Sequence, residues 1–157
     1  MSAMVSIEKT VFKPGETIQV RIDIDNSNCK KDVKSFKTKL VRKVQFFGGK
    51  EQGPGVVSKP IIDDKEIIVA LKHPGIPAHS NEIKTVELQI PMEDKDIGST
   101  AGMHRDLQMM TTMFSETVHN QMFKVEYHLE VYVKHQSKLE FGKGNAVDFP
   151  IIIRNQN

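Results

Sequence analysis

The chain has 157 residues, 38% of them hydrophobic, and a formal net charge of +2, which suits one domain and is too apolar for general disorder. Its longest unbroken apolar run is Ile67–Leu71, far short of the roughly 20 residues of a membrane-spanning helix, and no positively charged start followed by an apolar stretch marks a signal peptide. The single Cys29 excludes an internal disulfide scaffold and favours a reducing compartment.

Taken in chain order, Met4–Lys9 reads as an opening strand, closed by the turn Lys13-Pro14-Gly15-Glu16. In Thr17–Asp25, Ile18, Val20, Ile22 and Ile24 alternate with Gln19, Arg21, Asp23 and Asp25, the pattern of a strand with one buried and one wet face. Asn26-Ser27-Asn28 ends it in a turn. Val33–Phe47 predicts a long strand with Phe36, Leu40, Val44 and Phe46 on one face. Val56–Ile62 is a weaker strand that Pro60 confines to an edge or bulge. Glu66–Lys72 and Ile83–Ile90 are short strands flanking the loop His73-Pro74-Gly75-Ile76-Pro77. Phe123–Lys134 alternates throughout, from Phe123 and Val125 to Val131 and Val133. Ala146–Arg154 closes the chain with Val147, Phe149, Ile151 and Ile153 inward, and its Pro150 again suggests an edge or an irregularity. Seven to eight strands at this spacing predict an all-β, immunoglobulin-like antiparallel sandwich forming a single domain over residues 1–157. Glu93–Gln121 breaks the pattern. There Met103, Leu107, Met110 and Phe114 share one helical face, so a short helix near 101–114 stands against the alternative of a loop.

The near-zero net charge averages opposite blocks. Residues 1–50 carry eleven Lys/Arg against five Asp/Glu, a net +6, and residues 51–100 carry five against nine, a net −4. The excess centres on Lys30, Lys31, Lys34, Lys37, Lys39, Arg42 and Lys43. On a strand, Lys37, Lys39 and Lys43 share the face opposite Phe36, Leu40 and Val44, with Lys34 at its entry. This ladder fits phosphorylated tails or anionic lipid headgroups, or else a solvated, edge-protecting face. Thr38 and Arg42 fall on the apolar phase; Arg42 must snorkel from the core edge or meet an acid at a domain interface. Nucleic acid is not expected, since the chain has no Trp and only two Tyr for stacking.

Enzyme constellations are missing: no Gly-x-Ser-x-Gly, no phosphate-binding glycine loop and no His-Glu-x-x-His. Cys29 has no base nearby in sequence. The histidines, His73, His79, His128 and His135 among them, form no ligand pair with a second Cys or acid. Glu93, Asp94 and Asp96 lack calcium-loop spacing, and Asp63 and Asp64 point apart if extended. No metal, cofactor or catalysis is expected.

Val11-Phe12-Lys13-Pro14-Gly15-Glu16-Thr17-Ile18-Gln19-Val20, followed by Ile24-Asp25-Asn26-Ser27, resembles the opening of an arrestin C-terminal domain. Val33–Arg42 is similar to the family's next strand, where Gln often stands in place of Arg42. Phe123-Lys124-Val125-Glu126-Tyr127-His128-Leu129-Glu130-Val131 resembles its late strand and Phe149-Pro150-Ile151-Ile152-Ile153 its closing one. The resemblance runs from about Val5 to Arg154. It implies one sandwich of the family's usual pair, with an N-terminal arrestin-like domain in the full-length protein. It also implies a non-catalytic adaptor or scaffold that binds cytoplasmic regions of membrane receptors or transporters and trafficking or signalling machinery. The location it implies is cytoplasmic, peripheral at the plasma membrane or endosomes. The arrestin-like subunit of retromer, in endosomal cargo sorting, and an anionic-lipid module are the alternatives. No Pro-Pro-x-Tyr is present to recruit a ubiquitin ligase. The candidate contacts are Lys34, Lys37, Lys39 and Lys43 and a loop carrying Met109, Met110 and Met113, whose side chains adapt to irregular apolar partners.

Overall fold

A computed structural model describes residues 1–47, 59–92, 116–119, 122–135 and 146–155. Among them are nine strands and no helix: β1 (Ser2–Ile7), β2 (Val11–Phe12), β3 (Thr17–Asp25), β4 (Val33–Phe46), β5 (Ile62–Ile76), β6 (Asn81–Gln89), β7 (Val118–His119), β8 (Phe123–His135) and β9 (Ala146–Ile153). One sheet has the order β1-β3-β6. The other has the order β2-β9-β8-β4-β5, with β7 also paired to β8. The all-β sandwich is therefore as the alternation predicted.

The core follows from that alternation. Ile18, Val20, Ile22 and Ile24 of β3 are buried, as are Phe36 and Leu40 of β4, the odd residues Val125–Val133 of β8, and Ile151 and Ile153 of β9. They pack with Val86 and Leu88 of β6 in one cluster, two apolar sheet faces closing on each other. Thr38 and Arg42 do lie on this inner face, both buried. Thr38 Oγ1 is 3.2 Å from His73 Nε2. The Arg42 guanidinium donates to Glu66 Oε2 at 2.6 Å, so its acid comes from the neighbouring strand and no second domain is required to supply one.

Several boundaries differ from the expectation. β5 is one 15-residue strand that runs from Ile62 through the expected loop His73–Ile76. The expected strand at Val56–Ile62 is not formed over residues 59–61, and residues 56–58 lie outside the described ones. β5 continues because it is paired with β4 along its whole length, from Val33↔Ile76 to Phe46↔Ile62. The register slips between Leu40 and Val41, leaving Ile68 as the extra residue of a bulge. Gly75 is needed where the two strands meet: a Cβ there would lie 1.6 Å from the Val33 carbonyl oxygen. Pro150 fits inside β9 because Ile152 and Arg154 donate their N–H groups toward Thr10 and Phe12. Residue 150 shares that phase, so its missing N–H points away from β8 and removes no β8–β9 bond. The helix considered near 101–114 lies outside the described residues.

Candidate functional site

The outer face of the large sheet carries the ladder, and its neighbours decide which lysines are available. Across β4, Lys37 faces Tyr132 and Lys72, Lys39 faces Glu130 and Ala70, and Lys43 faces Glu126 and Lys65. β8 thus sets carboxylates beside the middle of the ladder. Lys65 Nζ reaches Glu130 Oε1 at 2.7 Å, the Tyr132 hydroxyl donates to Glu130 Oε2 at 2.6 Å, and Lys39 Nζ lies 4.7 Å from the Tyr132 ring centroid in a cation–π contact. Burial pushes the Glu130 carboxyl up, but the hydrogen bonds from Lys65 and Tyr132 outweigh it and hold it below its ordinary value. The bond to Glu130 and burial push the Tyr132 phenol up to about 12. Lower on the same face, Glu126 is gripped by Lys124 at 2.8 Å with His119 at 3.6 Å, and His128 Nδ1 sits 2.9 Å from Asp148.

At the other end of the face the balance fails. Lys37 and Lys72 stand directly opposite each other, and both are exposed. Lys34, the residue at which the β4–β8 register shifts, and Lys134, two residues beyond Tyr132, are exposed beside them. Among the described residues none of these four ammonium groups has an ion-pair partner. A shallow open depression of about 340 Å³ adjoins them, lined by Asp32, Val33, Lys34, Gly75, Ile76 and Pro77. The carboxylate of Asp32 accepts the Ala78 N–H at 2.8 Å.

The expected set Lys34, Lys37, Lys39 and Lys43 is therefore divided. Lys34 and Lys37 belong to the unpartnered cluster, while Lys39 and Lys43 sit against the carboxylate row of β8. Lys72 and Lys134 were not singled out from the sequence, because they are remote from the basic stretch and only strand pairing brings them to it. The loop with Met109, Met110 and Met113 lies outside the described residues. Cys29 is half-buried, its Sγ 2.9 Å from the Met1 amine. Among the described residues no group of three or more His, Cys, Asp or Glu side chains could hold a metal ion.

The family model described as "Arrestin (or S-antigen), C-terminal domain" matches residues 1–156. The chain belongs to the arrestin family. That assigns this sandwich to a non-enzymatic, adaptor-type family. No curated protein matches the chain. Among solved structures, the arrestin domain is similar in fold to the sporulation control protein Spo0M of Bacillus subtilis, at 11% identity and a TM-score of 0.60. The match covers 96% of this chain and 48% of that one, so the arrestin domain spans about half of its structural neighbour.

Proposed function

We propose that this arrestin domain is a non-catalytic adaptor whose unpartnered lysine cluster holds acidic or phosphorylated segments of membrane-protein cytoplasmic tails. The observation that carries the reading is the pair Lys37 and Lys72, directly opposed on adjacent strands with no carboxylate between them. Like charges so placed destabilise a sheet, and a phosphoryl or carboxylate group bridging them turns that repulsion into charge-assisted hydrogen bonds. Lys34 and Lys134 widen the same patch. Recognition of this kind needs surface complementarity and no bond chemistry. It fits work at the cytoplasmic face of the plasma membrane or endosomes, alongside an N-terminal arrestin-like half.

Anionic lipid is the second reading, favoured by the exposure of Lys37, Lys72 and Lys134 on one open sheet face with Lys34 exposed at its end, where an array of headgroups can reach them together. One comparison tests both. The wild type, Lys37→Glu/Lys72→Glu and, as control, Lys43→Glu are titrated with a fluorescein-labelled peptide in phosphorylated and unphosphorylated form, and co-sedimented with vesicles with and without a phosphoinositide. The adaptor reading expects about tenfold weaker phosphopeptide binding for the double variant, little change for Lys43→Glu, and weak vesicle binding throughout. Vesicle binding that the double variant alone loses, with no phosphopeptide preference, supports the lipid. Equal binding of every probe by all three proteins overturns both.

A further inference from the structure

β5 is the outermost strand of the large sheet, and among the described residues no strand pairs with its far side. Its middle, Ile67-Ile68-Val69-Ala70-Leu71, is the longest apolar run in the chain, and Ile67 is 52% exposed. Such edges are ordinarily blunted by charge or proline. Here Lys65 is turned across the sheet face onto Glu130, and Pro74 lies near the far end of the strand. Asp64 Oδ1 accepts the Lys65 N–H at 2.9 Å, a local bond that a swing of one exposed side chain releases. The edge is also antisymmetric in charge: Asp63 and Asp64 are exposed at its start and Lys72 at its end. A strand acidic at one end and basic at the other is complementary to itself when reversed.

We propose that β5 pairs with β5 of a second copy of this chain, antiparallel about a two-fold axis, so that one sheet continues across a dimer. Such an interface is isologous: whatever residue i meets, its counterpart meets in return. The bulge selects the register. Asp63, Lys65 and Ile67 point outward before Ile68, and Ala70 and Lys72 point outward after it, as their β4 partners Gln45, Lys43, Val41, Lys39 and Lys37 require. When the half before the bulge meets the half after it, outward residues face outward residues in registers that pair an odd-numbered residue with an even-numbered one. One of these sets Asp63 opposite Lys72 of the partner subunit, with Lys65 against Ala70 and Glu66 against Val69. It forms the same ion pair twice and brings a carboxylate beside the opposed Lys37 and Lys72. Of the two neighbouring registers, one sets Lys65 against Lys72, like charges in direct opposition, and the other sets Asp63 against Ala70 and loses the ion pair. In the chosen register Ile67 is covered by Ile68 of the other copy, and the unpaired backbone groups of both edges are satisfied.

The dimer does not depend on the adaptor reading, although Lys72 is common to the two. Sedimentation velocity over a wide range of loading concentration tests it. The wild type is expected to shift from 17.8 kDa toward twice that mass as concentration rises. Asp63→Lys alone and Lys72→Glu alone are each expected to remain at the monomer mass, and Asp63→Lys/Lys72→Glu in one chain to dimerise again, because both ends are exchanged together. A wild type that stays monomeric overturns the proposal. So does a dimer indifferent to the single substitutions, and so does a double variant that fails to recover. Circular dichroism of each variant confirms that these exposed positions leave the sandwich folded.

Discussion

Asn26 shows how much one buried side chain can hold. It is fully buried, and its Nδ2 donates to the carbonyls of Lys31 and Pro77 at 2.9 and 3.0 Å, while its backbone bonds to Ser80 and Cys29. It ties the β3–β4 turn to the β5–β6 turn. Asn26→Ala removes both bonds and leaves the Pro77 carbonyl to the Ser80 hydroxyl alone; the expected cost is about 1–2 kcal/mol, read as a lowered denaturant midpoint with an unchanged slope. His73 adds a dependence on pH. Its ring stacks on Phe36 with centroids 4.8 Å apart, and burial first, then the Lys84 charge, hold it below its ordinary value of 6.5. The folded state thus resists protonating it. Its contribution is present above about pH 6.5 and is lost as pH falls through the lowered folded value. Thermal melts from neutral to mildly acid pH are expected to fall more steeply for the wild type than for His73→Gln, in which that group no longer titrates. Parallel curves would sink this account.

Among the elements, β4 and β5 show what pairing adds to pattern. Thr17–Asp25 and Phe123–Lys134 were legible because alternation survives intact in both: nearly every residue of one phase is apolar and is buried. β5 was not. Its bulge at Ile68 shifts the apolar phase in mid-strand, and Pro74 and Gly75 imitate a loop. The strand persists because Gly75 lets β4 approach where no other side chain fits. Gly75→Ala would drive a methyl group into the Val33 carbonyl. It is expected to lower the melting temperature by about 5 °C or more, and amide exchange should quicken first at the Val33 and Ile76 end. The two-residue strands β2 and β7 were not legible either, since two residues are too few to show a period.

For the molecule as a whole, the outer face of the large sheet has a charge order visible in no single segment. Glu126, Glu130 and Asp148 of β8 and β9 offset Lys39, Lys43 and Lys65 of β4 and β5 over the middle of the face, while the end near Lys37, Lys72 and Lys134 stays cationic. Partner binding at that end is expected to weaken about tenfold as ionic strength rises from about 0.05 to about 0.3 M, because exposed charges are screened over roughly the Debye length. Binding isotherms at several salt concentrations check this, and a flat salt response would argue for an apolar contact elsewhere.

The sequence by itself determined the all-β sandwich and the inward phase of its principal strands, because burial on one face imposes a two-residue period on the chain, and its motifs in their order carried the resemblance to the arrestin C-terminal domain. It also marked Lys34 and Lys37 as members of a cationic face. Only the tertiary structure decided that Arg42 answers to Glu66, that Lys39 and Lys43 lie beside the carboxylates of β8, and that Lys72 and Lys134 complete the cluster at the end of the sheet. The physical reason is that electrostatic partnership depends on distance in space. Strand pairing brings residues 35 to 97 positions away in the chain, Lys72 and Lys134, to the neighbourhood of Lys37, and no local pattern encodes which of them will meet.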